Sequence, residues 1–185
     1  EILKVAKHIT KARGGEGANY IQHVIQGTGN DGLKFPTALL GNVGAGSNKW
    51  TIIHVARYNG ADKERIFQGA TSDWYSGHQA GVAGRAFHGA NISTTYSASM
   101  EWLVSVATKD TYRANGINRT NAGASGGTTP QLGLNWGNNG AGSLNTSDFQ
   151  VAELIVYNRE LSSTEIDTIE AYLDSKYELD GLNIS

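Results

Sequence analysis

An antiparallel β-sandwich closed by one short C-terminal helix is the fold this sequence predicts, on three observations. Glycine is the compositional outlier, with 24 residues against two prolines in 185. The glycines are scattered without a G-X-Y period, which excludes collagen, and together with the many asparagines they supply the positive φ angles that frequent tight reversals need. Short runs of alternating polar and apolar residues recur along the chain, which is the period of a strand. Only one stretch, near the C-terminus, carries both a capping signal and helical spacing.

Taken in order, residues 1–30 open with Ile2, Leu3, Val5 and Ala6 among lysines, a pattern compatible with a short helix or an entering strand. Ala18–Ile25 reads as a strand with Tyr20, Gln22 and Val24 on one face, and Gly27–Gly32 as a turn. Trp50–Tyr58 is the clearest strand and stops at the Asn59-Gly60 turn signal. Arg65–Gln68 is a short strand, residues 69–82 a long loop carrying Trp74, Tyr75 and His78, and Gly84–Gly89 the next short strand. Ser99–Ala107 places Met100, Trp102, Val104 and Val106 on one face and Glu101, Leu103 and Ser105 on the other. Thr111–Gly116 runs into an Asn-Gly turn, Gln131–Trp136 resumes a strand, and Phe149–Tyr157 is the last. Ser162-Ser-Thr-Glu165 then forms a capping box, followed by Ile166, Ile169, Tyr172, Leu173 and Tyr177 at helical spacing. The expectation is a single domain over 1–185, with no internal repeat.

Composition excludes several function classes. Charged residues are 17% and the net charge is −2, so the composition makes no electrostatic case for nucleic acid as a partner. With no cysteine, disulfides, thiolate zinc sites and cysteine nucleophiles are ruled out. No apolar run is long enough for a membrane span, so no membrane insertion is expected. The chain begins at Glu1 without an initiator Met or a signal-peptide pattern, which predicts a module of a larger multidomain or oligomeric protein. Four sequons occur, at Asn91, Asn118, Asn145 and Asn183.

The C-terminal run Val151-Ala-Glu-Leu-Ile-Val-Tyr-Asn-Arg159, then Leu161-Ser and Glu165-Ile, then Ile169-Glu-Ala-Tyr-Leu173 and Lys176-Tyr177, resembles the end of laminin-G-like, concanavalin-A-like jelly-roll domains. Trp102-Leu-Val-Ser-Val with Tyr112-Arg-Ala-Asn-Gly116 is similar to that family's paired strands. Trp50–Gly60, Arg65-Ile-Phe67 and Gly84–Gly89 are similar to a subgroup seen in surface proteins of large algal viruses and marine microbes. The resemblance spans residues 48–178. It implies a jelly-roll sandwich and an extracellular, cell-surface or virion-surface location. It fixes no activity, because this sandwich hosts lectins, adhesion domains, glycosidases and lyases.

Glu165-Ile-Asp-Thr-Ile-Glu170 spells the Glu-x-Asp-x-x-Glu signature of β-glucanases on this fold, and retaining glycosidases need two carboxylates about 5 Å apart. Here those letters fall on the capped helix, where Glu165 serves the capping box and Asp167 the helix dipole. No catalytic residue is assigned. Five dispersed histidines offer no zinc spacing. Calcium is the ion the resemblance implies, through oxygens at a loop rim, with Asp73, Asp110, Asn138, Asn139, Asn145 and Asp148 as the available donors and no EF-hand spacing.

The leading reading is a non-catalytic carbohydrate-binding or adhesion module whose partner is a polysaccharide or a glycoprotein glycan. Sugars stack on aromatic rings and hydrogen-bond planar polar groups. If Ile53 and Val55 face the core, His54 and Tyr58 face outward; if Phe87 is core, so does His88. Trp74, Tyr75 and His78 sit in a Gly-rich loop, and Trp136 ends a strand. The expected ligand-binding set is therefore His54, Tyr58, Trp74, Tyr75, His78, His88 and Trp136. Trp50 and Trp102 are expected in the core, and Arg57 and Arg85 in buried pairing. Two other readings stay open: a structural or protein-interaction jelly roll, such as a virion-surface domain, and a polysaccharide lyase or glycosidase, for which Tyr58, His54, Arg57 and His88 supply suitable residue types.

Overall fold

A computed structural model describes residues 8–10, 24–40, 49–93, 102–127, 130–137, 140, 142 and 145–179. They form two antiparallel sheets and one helix, a β-sandwich of jelly-roll type. The seven-stranded sheet runs, edge to edge, β1 (His8–Thr10), β2 (Val24–Gly27), β12 (Phe149–Tyr157), β4 (Thr51–Tyr58), β8 (Leu103–Thr108), β9 (Tyr112–Ala114) and β10 (Ile117–Asn118). The five-stranded sheet runs β3 (Leu33–Lys34), β11 (Leu132–Leu134), β5 (Phe67–Gly69), β6 (Tyr75–Gln79) and β7 (Val82–Phe87). The expected strand over residues 18–23 and any element over 1–7 lie outside the described residues.

The central strands β4 and β8 of the seven-stranded sheet are buried on both faces. Ile52, Ala56 and Tyr58 of β4, with Leu103 and Ala107 of β8, point between the sheets and meet Phe67, Ala83, Ala86, Leu132 and Leu134. Ile53 and Val55, with Trp102, Val104 and Val106, point the other way and meet Leu161, Ile166, Leu173 and Tyr177 of the helical layer. The split of Trp102, Val104 and Val106 from Leu103 and Ser105 is the alternation of a strand. Trp50 and Trp102 are both core. Strand β4 carries no charge before Arg57, which suits a strand with no solvent face.

The turns follow local chemistry. Asn115 (φ 49°) and Gly116 (φ 76°) both take positive φ and join β9 to β10, the two-residue hairpin that Asn-Gly favours. Residues 75–87, expected as a loop and a later strand, are instead a hairpin, β6 and β7 meeting at Ala80 and Gly81. Its alternation is hidden because His78, Gly77 and Ser76 do not look like strand residues.

Helix α1 (Ser163–Tyr177) starts as its sequence dictates. Ser162 Oγ accepts from the Glu165 backbone N–H, and Glu165 Oε2 accepts from the Ser162 N–H at 2.8 Å. Arg159 pairs with Glu165 at 2.7 Å, and that bond with the two from Ser162 holds the Glu165 carboxyl down to about 2. Further along, Arg113 of β9 reaches Asp167 Oδ1 at 2.8 Å and the fully buried Glu170 Oε2 at 2.7 Å, fastening the helix to the sheet. Replacing one member of a buried pair strands the other charge. Arg113→Met is therefore expected to cost about 3 kcal/mol in urea unfolding, and the double variant Arg113→Met/Glu170→Met to recover most of it. Equal losses in the single and double variants would show that the pair does not hold the helix.

Candidate functional site

Five of the seven expected ligand-binding residues point into the molecule, and a sixth, Tyr75, is buried at 5% exposure on its outer side. His54, His78, His88 and Trp74 have no exposed surface, and Tyr58 is 5% exposed. The expectation that His54 and Tyr58 face solvent is corrected. Their parity opposite Ile53 and Val55 holds, but both faces of β4 are covered, so they enter the space between the sheets. For His88 the parity itself is inverted: Ala86 and His88 point inward, and Arg85 and Phe87 point outward.

The interior residues form two groups. The His54 ring lies 4.4 Å from the Phe67 ring centroid and 6.4 Å from that of His78, which sits edge-on to Tyr58 at 4.8 Å. An ideal Cβ on Gly77 (φ 96°) would be 2.6 Å from His54 Cε1, so the imidazole occupies the room that a side chain there would need. Trp74 stacks on His88 at 5.0 Å and meets Trp50 edge-on at 5.7 Å. His88 Nδ1 bonds the Lys109 carbonyl at 3.1 Å. Burial drives all three imidazoles toward the neutral form. His54 is pushed down to about 3, His88 to about 4, and His78 well below its ordinary value, with neighbouring His54 adding to the effect. Neutral, enclosed imidazoles are core components.

The remaining two residues, Tyr75 and Trp136, share the outer face of the five-stranded sheet. Gly133, Gln68, Tyr75 and Phe87 pair across β11, β5, β6 and β7 as one row. Phe67, Ser76 and Ala86 of the adjoining row point inward, so the Tyr75 row points out. The Tyr75 and Phe87 rings stack at 5.9 Å with 19° between their planes. Arg65 lies over Tyr75, its guanidinium carbon 4.6 Å from the ring centre, while Nη1 bonds Asp73 at 2.7 Å and Nε donates to Gln79 Oε1. Gln79 Nε2 in turn donates to Glu64 at 3.2 Å. Beyond β11 the chain folds back over this face: an ideal Cβ on Gly133 would be 2.1 Å from the Trp136 carbonyl oxygen, and one on Gly137 would be 2.7 Å from Gln68 Oε1. The half-buried Trp136 thus stands two strands from Tyr75, roughly 10 Å by strand spacing.

The sequence reading missed Arg65, Gln79, Arg85 and Phe87. Alternation about Ala86 would have found the last two. Arg57 is paired as expected, to Gln150 Oε1 at 2.8 Å and over Trp102 at 4.7 Å, but Arg85 is half-exposed and is no buried pair.

Of the donors named for calcium, the three aspartates already have protein partners. Asp73 pairs with Arg65, Asp110 accepts from the Gly126 N–H and Lys109, and Asp148 accepts from the Gly29 and Asp62 N–H groups. Asn138 and Asn139 lie outside the described residues. Among the described residues, no three acidic or imidazole side chains converge. No helix there is long and apolar enough to cross a membrane. Asn91, Asn118 and Asn145 of the sequons are exposed; Asn183 falls outside the described residues.

No family model and no curated protein matches this chain. Solved structures do. A Trypanosoma rangeli sialidase aligns with a TM-score of 0.57 at 17% identity over 89% of this chain and 29% of that one. The same enzyme in complex with 2,3-difluorosialic acid aligns at 0.59 and 16% identity, over 91% and 33% of the two chains. The binding domain of Paraclostridial Mosquitocidal Protein 1 aligns at 0.57 and 13% identity, over 94% and 47%. This chain therefore spans about a third to a half of the chains it matches. At such identities the likeness shows the β-sandwich fold alone.

The buried imidazoles set a pH dependence. Their folded values are depressed below the unfolded value near 6.5, so below that pH the unfolded chain binds more protons. Stability is complete above about pH 6.5 and falls as the pH drops toward the folded values, by roughly 2 kcal/mol each for His54 and His88 at pH 5, with His78 adding in the same direction. Urea midpoints measured from pH 7.5 to 4.5 should decline steeply, and less so in His78→Gln. A flat profile would contradict neutral burial.

Proposed function

We propose that this chain is a non-catalytic carbohydrate-binding or adhesion module of a larger surface or secreted protein, and that the outer face of its five-stranded sheet receives the glycan. The observation that carries the reading is the combination on one outer face of a stacked aromatic pair, Tyr75 and Phe87, with the planar polar groups of Arg65, Asp73, Gln79 and Glu64. Sugars present alternating apolar faces and hydroxyl rims, and aromatic edges beside hydrogen-bonded planar groups complement both. Phe87 and Trp136 are the half-buried aromatics of this face and the ones that offer surface to a pyranose ring; Tyr75 is 5% exposed and serves as their support.

The names of the structural neighbours, a sialidase and the binding domain of a toxin, agree with a carbohydrate-related sandwich. The sequence resemblance to laminin-G-like domains of algal viruses and marine microbes points to an extracellular, cell-surface or virion-surface setting. A polysaccharide lyase would use a base such as tyrosine or histidine. His54, His78 and His88 are enclosed, and burial first, with Asp73 adding to it, raises the Tyr75 phenol above its ordinary value despite the two nearby arginines, so less of it is deprotonated at neutral pH than of a free tyrosine.

A glycan array with the whole chain, followed by affinity electrophoresis in plant, algal and animal polysaccharides, tests the reading. Phe87→Ala and Trp136→Ala are each expected to weaken binding about tenfold with an unchanged fold, the loss of one stacking contact. Absence of binding throughout would favour a structural or protein-interaction jelly roll instead, and release of unsaturated or reducing ends would favour an enzyme.

A further inference from the structure

We infer that Asn59-Gly60 is a site of self-modification: the Gly60 backbone nitrogen attacks the Asn59 carboxamide, converts it to aspartate and isoaspartate, and loosens the end of the sandwich that Asp148 ties together. Three Asn-Gly pairs occur in the chain, at Asn59, Asn115 and Asn139, and the third lies outside the described residues. Asparagine before glycine is open to this attack, because glycine has no Cβ to shield the nitrogen or to restrict the dihedrals that the ring needs. The fold treats the two described pairs differently. Asn115 turns the chain from β9 into β10, where its backbone N–H donates to the Val104 carbonyl at 2.9 Å and its Oδ1 accepts from the Val104 N–H at 2.8 Å. The Gly116 carbonyl accepts from Arg113 at 3.0 Å. With the carboxamide and the following peptide both held, the ring closes only after local opening.

Asn59 has no such hold. The chain here leaves β4 for β5, which lies in the other sheet, so this pair closes no hairpin. Residues 59–63 are all exposed and irregular. Among the described residues, no hydrogen bond takes the Asn59 carboxamide or the Gly60 N–H. The fold also keeps the glycine, since an ideal Cβ there would be 2.7 Å from Asp148 Cβ. The reaction needs only water. Gly60 N gives its proton to base and bonds to Asn59 Cγ; the Cγ–Nδ2 bond breaks, and ammonia leaves with a proton from solvent. Water then opens the cyclic imide at either carbonyl, giving aspartate or isoaspartate. Isoaspartate adds a methylene to the main chain between two ties, Asn59 N–H to the Asp148 carbonyl at 3.0 Å and Asp62 N–H to Asp148 Oδ2 at 3.1 Å. It also adds a negative charge to a loop that already carries Asp62 and packs on Asp148, which like-charge repulsion disfavours.

Ageing the whole chain in neutral and in mildly alkaline buffer, followed by trypsin digestion and mass spectrometry, tests the inference. Cleavage after Arg57, Lys63, Arg113 and Arg119 puts the two pairs on separate fragments, 58–63 and 114–119. In the folded chain the amide-to-acid mass gain should appear at Asn59 about tenfold faster than at Asn115, the factor that hydrogen bonds of ordinary strength impose through local opening. Both rates should rise with pH, because the attacking nitrogen must lose its proton. In urea the two rates should converge, since the difference belongs to the fold. The isoaspartate form, separated by ion exchange from an Asn139→Gln background, should unfold at lower urea than its parent. Asn59→Asp, which gains the charge without the methylene, should lose less. Equal rates in the folded chain, an Asn59 that stays intact, or a difference that persists in urea would overturn the inference. An isoaspartate form as stable as its parent would overturn the loosening. None of these outcomes bears on the glycan reading.

Discussion

Double-sided burial of the central strands of the seven-stranded sheet is the constraint on which the rest of this structure depends. One face meets the other sheet and the opposite face meets the helical layer, so β4 and β8 have no solvent side to give to polar residues. Polar groups in these strands must then be small, paired or uncharged. Ser105 meets Ser76 Oγ at 3.1 Å, Thr51 Oγ1 bonds the Arg159 carbonyl at 3.0 Å, and His54 stays neutral against Phe67 and Gly77. A binding surface needs exposed side chains, and the outer side of the five-stranded sheet offers part of Gln79, Phe87 and Trp136.

The helix is what makes the second layer, and its sequence is spent on being placed there. Glu165, Asp167 and Glu170 spell a glycosidase signature, yet each has a structural partner: the first closes the N-cap and holds Arg159, the second and third take the two ends of the Arg113 guanidinium. Helical spacing turns the three carboxylates around an axis rather than into a cleft. At one end of the sandwich a second set of buried polar bonds performs the same task for loops. Asn135, in a left-handed conformation, donates to the Thr28 and Asp31 carbonyls at 2.9 and 2.7 Å and accepts from the Ser147 N–H at 2.7 Å. Asp148 accepts the Gly29 and Asp62 N–H groups. Oxygens that look like ligands for a cation in the sequence are thus acceptors for backbone donors in the fold.

Elements with a strong local cause were legible in the sequence, and the site was much less so. The Ser162 cap, the Asn115-Gly116 turn and the strands Thr51–Tyr58 and Phe149–Tyr157 follow from residues a few positions apart. Facing is a non-local property. Alternation tells which residues share a side, as it did for His54 against Ile53 and Val55, but the layer that covers a side is contributed by distant chain. The uncharged run from Trp50 to Ala56 was the available warning that both sides were covered. Trp74 and His78 looked like loop residues because glycines surround them, yet they carry the aromatic packing between the sheets, and of the expected set only Tyr75 and Trp136 share the outer side of the five-stranded sheet.

The β6–β7 hairpin ties core to surface. Tyr75, Ser76 and Gly77 pair with Phe87, Ala86 and Arg85 in step; then the register shifts, His78 pairs with Ala83, and Gly84 is left over as a bulge at φ 85°. Without that extra residue, alternation from Phe87 and Arg85 outward would turn Ala83 outward and Val82 inward. With it, Ala83 points inward and joins the inter-sheet core, while Arg85 and Phe87 remain outside beside Tyr75. The left-handed angle at Gly84 costs little only because the residue lacks a Cβ. One glycine thus lets a single short strand satisfy a dry interior and a charged, aromatic exterior at once, which is why the interior histidines and the outer arginine are consequences of the same local geometry.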